Sequence, residues 1–191
     1  MCLGIEGGVK VLFQTLSYIG EKLNKENILW GVGASILLNH YDMVNNPKDI
    51  DILVALEDIH KVDEILKPLG HKKVRELNDS YSTEYFNEYV INGIDIDVMS
   101  GLTLNHEEGK YTQIFDRASI VDKMDVDDVK IPLTSLEDWY IIYQLIPGRE
   151  HKVSLIENYL LQNGVKNPML LQRALKCALP LMVKYRSEKL L

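Results

Sequence analysis

The sequence predicts an α/β (α+β) protein, with a mixed β-sheet flanked by helices and a helical C-terminal extension. Two observations indicate this fold class. Runs of Ile, Leu and Val at residues 50–54 and 94–98 alternate with Asp, which is typical of strands that bury one face. Helical patterns separate and follow these strands, and Asn92-Gly93 is a hairpin turn that leads into the second one. We therefore expect antiparallel as well as parallel pairs, rather than a doubly wound parallel sheet.

The composition is that of a globular domain with 191 residues, long enough for a proper core. A net charge of −7 argues against an extended nucleic-acid surface, which should carry a basic patch or stripe. No apolar run approaches the ~20 residues of a membrane span, and residues 1–8 lack the features of a secretory signal. Cys2 and Cys177 offer neither a disulfide framework nor a metal-binding spacing. We therefore expect a cytoplasmic protein without a membrane partner.

The first part of the chain is expected to alternate helix, strand and helix. Residues 9–23 have apolar side chains at helical spacing, which predicts an amphipathic helix packed on the sheet. These side chains are Leu12, Phe13, Leu16, Ile19 and Leu23. Gly7-Gly8 has no preceding strand, so we interpret it as a flexible start rather than a phosphate loop. A short buried strand is expected at 28–30, and a helix at 34–41.

The middle of the chain is predicted to hold a further helix and the antiparallel part of the sheet. Residues 57–66 carry an apolar face and end before Pro68 and Gly70, as expected of a helix. Residues 72–90 are expected to form two strands or a hairpin around a turn cluster at 78–80. Four aromatic side chains here either line a substrate pocket or cover the sheet: Tyr81, Tyr85, Phe86 and Tyr89.

Residues 101–130 are polar and acidic, and we expect loops there. The stretches 105–109 and 122–128 have the charge pattern of solvated loops, and the second lacks the glycine and terminal Glu of an EF-hand. The expected division of the chain is a core at residues 1–134 and a helical region at residues 135–191 packed on it.

The C-terminal region is predicted to be helical. Ser135 stands three residues before Asp138 in capping-box spacing, which predicts the start of a helix. Further helices are expected at 151–163 and 168–190, with Pro180 kinking or splitting the last one. Its broad apolar stripe fits either the core or a seam between two copies of the chain, so a homodimer through these helices is one expectation.

Two pairs of aspartates are the strongest chemical signal. Asp49 and Asp51 are two apart in a strand, so both carboxylates leave one face, with Cα atoms about 6.6 Å apart. Asp95 and Asp97 repeat this arrangement. If the two strands are neighbours, three or four carboxylates crowd one end of the sheet, and their repulsion favours a bound cation such as Mg²⁺ or Mn²⁺. The simpler interpretation is one turn residue and three solvated strand positions.

A turn of small residues precedes the first pair. Gly33, Ala34 and Ser35 lie between a predicted strand and a predicted helix, where free backbone N–H groups and little bulk let a phosphate approach. Alone this signal is weak, because Gly-x-Gly also serves any tight turn. Its position just before the Asp pair gives it weight.

These motifs together resemble the nucleotidyltransferase superfamily of the DNA polymerase β type. The sequence is most similar to the small bacterial branch that includes lincosamide and aminoglycoside nucleotidyltransferases and the abortive-infection toxin nucleotidyltransferases. The resemblance covers about residues 25–100 and, more loosely, 135–163. It implies a nucleotidyltransferase-type mixed sheet flanked by helices.

The resemblance also implies roles for the motif residues. The nucleotide-binding residues would be Gly33, Ala34, Ser35 and Lys48. Asp49 and Asp51 would be the pair that binds two Mg²⁺ (or Mn²⁺) ions. Asp97 would be the third metal ligand and a candidate base for the incoming hydroxyl, with Asp95 as its rival for that position.

The chain departs from the family pattern in two places. Ala34 stands where the family prefers Gly or Ser, and Asn45-Asn46-Pro47-Lys48 stands where many members have Arg or Thr before the Asp pair. Lys48 supplies a charge but not the bidentate fork of Arg. Further along, Arg149 and Lys152 are candidates for contacting the nucleotide, or are simply basic residues at an exposed helix start.

The resemblance implies a metal-dependent enzyme that transfers a nucleoside monophosphate from an NTP to a hydroxyl acceptor and releases pyrophosphate. The modest chain length favours a small-molecule acceptor, and a protein hydroxyl or a tRNA end is the less favoured alternative. The competing hypothesis is a catalytically degenerate protein that keeps the fold and acts as a binding, regulatory or toxin–antitoxin partner. A metal-dependent phosphohydrolase is a second competitor, but such enzymes usually add His ligands, which these strands lack.

Overall fold

The structure is a computed structural model that describes residues 3–74 and 80–191. Its helices are α1 (Leu3–Lys25), α2 (Ala34–His40), α3 (Ile59–Leu66), α4 (Leu136–Leu145), α5 (Glu150–Asn163), α6 (Pro168–Leu175) and α7 (Leu181–Glu188). Its strands are β1 (Trp30–Val32), β2 (Asp49–Val54), β3 (His71–Lys72), β4 (Tyr85–Ile91), β5 (Ile94–Ser100), β6 (Thr103–His106), β7 (Gly109–Thr112), β8 (Ile120–Val126) and β9 (Val129–Thr134). No helix of the described residues has the length and apolar character to cross a membrane.

A seven-stranded sheet organises the molecule, with the strand order β3-β4-β5-β2-β1-β9-β8. β2 runs antiparallel to β1 and parallel to β5, whereas β4–β5 and β8–β9 are antiparallel hairpins. Asn92 and Gly93 join β4 to β5 with φ values of 53° and 77°, the left-handed geometry that a tight hairpin turn needs. The predicted mixed α/β fold is therefore confirmed.

Side-chain alternation gives the centre of the sheet one apolar face and one acidic face. On the apolar face, Ile50 and Ile52 of β2 and Ile96 and Val98 of β5 are fully buried. α1 packs against β2, β5, β8 and β9, and α3 packs against β4 and α1. The stripe of α1 predicted from sequence is also buried: Leu12, Leu16, Ile19 and Leu23. This packing leaves the acidic face for the functional site.

α4 is the central helix of the C-terminal region, and nine of its ten residues are buried. It begins where predicted, because the Ser135 hydroxyl accepts a hydrogen bond from the Asp138 backbone N–H at 3.0 Å. It contacts α2, β6 and the three helices that follow it. Pro180 separates α6 from α7, so the predicted last helix is split. The boundary at residue 134 stays a prediction.

The apolar stripe of the last two helices divides between core and surface. Leu171, Ala174 and Val183 are buried, as a core stripe requires. Other large apolar side chains of these helices are exposed: Met169, Leu181, Met182 and Tyr185. The homodimer expected through these helices stays a prediction.

The start of the chain differs from the expectation. α1 begins at Leu3, so Gly7 and Gly8 lie inside a helix and the predicted flexible start is wrong. Glycine lowers helix stability by about 1 kcal/mol relative to Ala without forbidding the helix, and the buried stripe of α1 anchors the remaining turns. β1 also lies later than the strand predicted at 28–30, so Gly31 is a strand residue.

The acidic stretch before residue 130 is more regular than predicted. Residues 103–112 form the β6–β7 hairpin, and β8 covers most of the second predicted loop. The loop predictions at 105–109 and 122–128 are therefore wrong. β8 is an edge strand with several exposed charged side chains, one of which, Asp125, pairs with Lys130 of β9 at 2.6 Å. It therefore lacks the apolar alternation that identifies a strand. The turn expected at 78–80 lies largely outside the described residues.

Candidate active site

The paired aspartates lie together at one end of the sheet. Because β2 and β5 are parallel neighbours, Asp49 stands beside Asp95, and Asp51 stands beside Asp97. Alternation sends all four side chains to the same face. The two aspartate strands are thus adjacent, which is the condition under which the sequence predicts a crowd of carboxylates.

A cavity of 150 Å³ opens on this face. Asp49, Asp51 and Asp97 line it, and Asp95 does not. The exposed Asp95 carboxylate instead accepts a hydrogen bond from Lys73 Nζ and forms an ion pair with it. The geometry therefore favours Asp97 over Asp95 as the third carboxylate of the cavity.

Burial and mutual repulsion raise the pKa of two of these carboxyls. Desolvation, followed by the charges of Asp49 and Asp97, raises the pKa of Asp51 to about 8. Desolvation, followed by the charge of Glu88 and then Asp49, raises the pKa of Asp97 to about 6. Lys152 lowers the pKa of Asp51 but does not outweigh these effects. The cluster holds more negative charge than its neighbours neutralise, and a bound cation relieves such an excess.

Glu88 is an acidic residue of this cluster that our sequence analysis missed. It stands directly opposite Asp97 across the β4–β5 hairpin. After desolvation, its charge is the largest cause of the raised pKa of Asp97. The signal was available, because counting back from the predicted turn at Asn92-Gly93 pairs residue 88 with residue 97.

The small-residue turn lies against the carboxylates, and its residues have local structural roles. The Ser35 hydroxyl donates a hydrogen bond to Asp49 Oδ1 at 3.0 Å, so it orients that carboxylate. A Cβ on Gly33 would lie 2.1 Å from Trp139 Nε1, so the indole ring requires glycine there. Ala34 lines the cavity.

Ala34 adopts a φ of 47°, in the left-handed region. Glycine, one of the residues that the resemblance implies at this position, adopts this conformation without a Cβ penalty, which for other residues costs about 1–2 kcal/mol. The departure at Ala34 therefore keeps the backbone path of the turn at the expense of local strain.

The positive charges at the cavity come from the start of α5 rather than from the loop before β2. Arg149 and Lys152 both line the cavity. Lys152 Nζ donates a hydrogen bond to the Tyr143 hydroxyl at 3.2 Å and lies 4.9 Å from the centre of its ring. Burial, followed by the charge of Arg149, lowers the pKa of Lys152. Lys48 is exposed, lies beside Gly8 and Ile94, and does not line the cavity, so its nucleotide-binding role stays a prediction.

Of the four aromatic residues at 81–89, two line the cavity and two cover the sheet, so both alternatives left open by the sequence occur. Tyr81 and Phe86 line the cavity. Tyr89 is buried against the helical layer, where its hydroxyl donates to Asp63 of α3. Tyr85 packs edge-on against His60.

The carboxylates of the cavity are oxygen ligands of the kind that hard divalent cations prefer. Among the described residues, no group of three or more His, Cys, Asp or Glu side chains is arranged to hold a metal ion on its own. Mg²⁺ is usually bound by one or two carboxylates, and waters and substrate phosphates complete its coordination. The carboxylates of Asp49, Asp51 and Asp97 supply ligands of this kind, and their excess charge favours Mg²⁺ or Mn²⁺ beside a triphosphate.

Several solved structures that are similar to this chain are described as nucleotidyltransferases. A Thermotoga maritima protein provisionally assigned as a nucleotidyltransferase is 24% identical over 78% of this chain and 92% of its own, with a TM-score of 0.58. ANT(2″)-Ia in complex with adenylyl-2″-tobramycin is 15% identical over 85% and 95%, with a TM-score of 0.56. The lincosamide antibiotic adenylyltransferase LnuA, with lincomycin bound, is 17% identical over 75% and 95%, with a TM-score of 0.52.

No protein-family model and no curated protein matches the sequence. The structural likeness therefore establishes the fold, and it is the nucleotidyltransferase fold that the Gly and Asp motifs predict.

Proposed function

We propose that this protein is a metal-dependent nucleotidyltransferase, which moves a nucleoside monophosphate from an NTP to a hydroxyl acceptor and releases pyrophosphate. The observation that carries the proposal is the meeting of Asp49, Asp51 and Asp97 in one cavity of a nucleotidyltransferase fold. Two adjacent strands place these carboxylates, and cationic side chains line the same cavity.

The carboxylates hold the cations in this proposal. Asp49 and Asp51 bind two Mg²⁺ or Mn²⁺ ions, Asp97 is the third ligand, and the Ser35 hydroxyl keeps Asp49 oriented. When bound, the ions neutralise charge on the triphosphate and on the departing pyrophosphate. Residues of the chain bind the triphosphate and accept the proton of the acceptor hydroxyl.

In this proposal the triphosphate lies in the cavity that Ala34, Arg149 and Lys152 line. The Gly33 N–H already donates a hydrogen bond to the backbone carbonyl oxygen of Asp51 at 3.0 Å, so Gly33 contributes the shape of the turn rather than a phosphate contact. Arg149 offers a fork of donors suited to phosphate oxygens, and Lys152 offers a point charge that Tyr143 positions. These two cations take the place that the sequence analysis gave to Lys48.

The transfer step conserves atoms and charge. The acceptor oxygen bonds to the α-phosphorus, and the bond from the α-phosphorus to the bridging oxygen breaks, so pyrophosphate leaves with that electron pair. The hydroxyl proton passes to the Asp97 carboxylate and from there to solvent. Asp97 suits this role because it lines the same cavity as the Asp49 and Asp51 pair of β2 but comes from the neighbouring parallel strand, β5.

The acceptor is proposed to be a small molecule. The cavity of 150 Å³ is smaller than the ~300–1,000 Å³ of typical ligand sites, so it takes the phosphate end of the substrate and leaves the base and the acceptor outside. ANT(2″)-Ia and LnuA are described with an adenylylated tobramycin and with lincomycin, which makes these two antibiotics the first acceptors to test here.

The experiment measures pyrophosphate release from each of the four NTPs with Mg²⁺, in the presence of tobramycin, lincomycin and mixed sugars, amino sugars and nucleosides. We expect release with at least one combination, slowed at least ~100-fold in Asp51→Asn, because a charge that stabilises the transition state is lost. Asp128→Asn, in the exposed β8–β9 turn, makes the same chemical change away from the cavity and should leave the rate unchanged. Full activity in Asp51→Asn would contradict the assignment of Asp51 to the active site.

The competing role, a non-catalytic binding or regulatory partner, is favoured by the strained Ala34 and by Lys48, which does not line the cavity. It predicts that no combination of NTP and acceptor releases pyrophosphate.

A further inference from the structure

A second cavity lies at the other end of β2 from the carboxylates. Its volume is 390 Å³, within the ~300–1,000 Å³ of small-molecule sites, and it lies between the end of α1, β8 and β9. Trp30 lines it and pairs with Val54 at the end of β2, whereas Asp49 and Asp51 stand near the start of that strand. Over the described parts of the chain, no residue lines both cavities. The two cavities are therefore separate sites.

The lining of this second cavity is basic. Arg117 reaches it from the turn Arg117–Ser119 before β8, Lys123 from β8 and Lys130 from β9. No acidic side chain of the described residues lines it. Lys123 stands opposite Pro132, two residues after Lys130, so both lysine side chains leave the same face of the sheet. In a chain with a net charge of −7, this local excess of positive charge attracts anions.

Two of the three cations are unpaired. The Arg117 guanidinium and the Lys123 ammonium group have no hydrogen-bond or ion-pair partner among the residues that the structure describes. Lys130 pairs with Asp125 at 2.6 Å, and both of these side chains are more than half exposed. Two positive charges are therefore available to a ligand without the loss of an existing contact.

The turn that carries Arg117 is held in place. The Asp116 carboxylate accepts a hydrogen bond from the Ala118 N–H at 3.0 Å and pairs with Arg173 of α6 at 3.1 Å. Arg173 also donates to the Ser119 hydroxyl at 3.0 Å. The acid next to Arg117 in the chain is thus already neutralised, and the turn is ordered before a ligand binds, which lowers the entropic cost of binding.

Side-chain hydrogen bonds also fix the opposite wall of the cavity. Asn24 Nδ2 donates to the backbone carbonyl oxygen of Lys130 at 2.8 Å, and the Trp30 indole N–H donates to Asn24 Oδ1 at 3.1 Å. The Leu29 backbone N–H donates to Asp58 Oδ2 at 2.8 Å, and Asp58 does not line the cavity. The cavity therefore has a pre-formed frame.

Apolar side chains complete the lining. Ile28 and Trp30 are buried, and Leu29, Ile120 and Pro132 are half-buried. A bare inorganic ion would leave this apolar surface in contact with water, whereas an organic ligand covers it. The lining thus fits a molecule with an anionic end and an apolar body.

We propose that this cavity binds a small phosphomonoester with an apolar body. A phosphomonoester carries a charge of about −1.5 to −2 at pH 7, which two free cations balance, whereas a carboxylate carries one. The Arg117 fork of donors suits phosphate oxygens, and Lys123 adds a point charge. The apolar body lies on Leu29, Ile120 and Pro132. This inference is independent of nucleotidyl transfer, because the two cavities share no described lining residue.

The test is calorimetric titration of the full chain with three probes. EDTA is present, so that no divalent ion links a phosphate to the carboxylates. Phenyl phosphate has the doubly charged group and an apolar ring, inorganic phosphate lacks the ring, and benzoate has the ring but a single charge. We expect phenyl phosphate to bind at least about threefold more tightly than either of the others, because it alone uses both the cations and the apolar wall. Added NaCl should weaken its binding through screening.

Variants assign the site. Arg117→Gln and Lys123→Gln should each weaken phenyl phosphate about two- to fivefold, the scale of an exposed ion pair, and the double variant should weaken it further. Lys166→Gln, exposed in the loop before α6, removes the same charge as Lys123→Gln away from the cavity and should leave binding unchanged. Lys152→Met should also leave it unchanged, which separates this site from the cations of the carboxylate cavity.

Inorganic phosphate that binds as tightly as phenyl phosphate would overturn the proposal and indicate an adventitious ion only. Equally tight binding of benzoate would refute the preference for phosphate. Binding of no probe, or binding that the Arg117 and Lys123 variants leave unchanged, would also overturn the proposal. A short single-stranded oligonucleotide that displaces phenyl phosphate and binds more tightly would show instead that the basic lining contacts a nucleic-acid chain.

Discussion

Asp95 and Asp97 are the same chemical group in the same strand, yet their surroundings separate them. Asp97 shares a cavity with Asp49 and Asp51, whereas Asp95 is exposed and paired with Lys73. The sequence offers both residues at equivalent positions in an alternating strand. They differ in whether they line the cavity and in the ion pair with Lys73. Both are contacts between distant parts of the chain, which a local sequence pattern does not predict.

A side-by-side comparison of Asp97→Asn and Asp95→Asn tests this assignment. We expect pyrophosphate release to fall at least ~100-fold in Asp97→Asn, because a carboxylate at the reacting centre is lost. Asp95→Asn should stay within a few-fold of wild type, because Asp95 is exposed, pairs with Lys73 and does not line the cavity. The reverse ranking of the two rates would assign the third carboxylate to Asp95.

The raised pKa of Asp51 predicts how pH acts on the metal-free protein. In the folded state this pKa is about 8, above the ~3.9 of an unfolded Asp, so the folded state binds more protons between these values. The contribution of Asp51 to stability is therefore present at acid pH and lost as pH rises towards 8.

Thermal unfolding in EDTA checks this effect. Relative to Asp51→Asn, which removes the titrating group, the wild-type Tm should fall between about pH 5 and pH 8, and Mg²⁺ should reduce the fall. A difference between the two proteins that does not change with pH would contradict the electrostatic account of the cluster.

Gly33 tests whether the turn is shaped by packing. Its φ of −131° is open to any residue, and the atoms nearest to an added Cβ belong to the indole ring of Trp139. Gly33→Ala should therefore lower the free energy of unfolding by about 1–3 kcal/mol through overpacking.

The control for this variant is Gly8→Ala, in the part of α1 where a Cβ meets nothing within 4 Å. It should raise the free energy of unfolding by about 0.5–1 kcal/mol through helix propensity. Denaturant unfolding measures both changes. An unchanged stability in Gly33→Ala would show that the Trp139 ring yields readily.

At the scale of elements, the sequence predicts those whose apolar periodicity is strong. The buried stripe of α1, the alternating strands β2 and β5, the Asn92-Gly93 turn and the Ser135 cap all carry such local signals. β8 carries none, because it is an edge strand with many exposed charges, held mainly by its backbone pairing with β9. Glu88 was missed for a related reason, since its importance depends on a partner across a hairpin.

The positive charge at the cavity comes from a different element than the one that is nearest in sequence to the aspartates. Lys48 is close to the aspartates in sequence but is not among the residues that line the cavity, whereas Lys152 comes from α5 and lines it. Sequence distance misleads here because the cationic side chains of the cavity come from the start of α5, which follows β9 and α4 in the chain.

Lys152→Met and Lys48→Met make the same change on the two elements. Lys152→Met should weaken NTP binding about tenfold, the scale of a charge-assisted hydrogen bond to phosphate, and Lys48→Met should leave it unchanged. Calorimetric titration with Mg²⁺ measures both. Weaker NTP binding in Lys48→Met, with normal binding in Lys152→Met, would show that Lys48 in the loop before β2 makes the phosphate contact.

On the scale of the whole molecule, the site is a meeting point of segments far apart in sequence. β2 and β5 supply the carboxylates, the turn before α2 supplies the small residues, and α4 and α5 supply the aromatic wall and the cations. The acidic chain concentrates several of its negative charges at the cavity. This distribution fits a centre that, in our proposal, recruits divalent cations.

The most direct measurement is calorimetric titration of the four NTPs into the wild-type protein and Asp49→Ala, with Mg²⁺ and again with EDTA. We predict micromolar binding of at least one NTP that requires Mg²⁺ and is weakened at least ~10-fold in Asp49→Ala, because one carboxylate of the metal site is lost. Absence of binding by every NTP with Mg²⁺, or binding that neither EDTA nor the substitution alters, would contradict the account of this cavity as a nucleotidyl-transfer site.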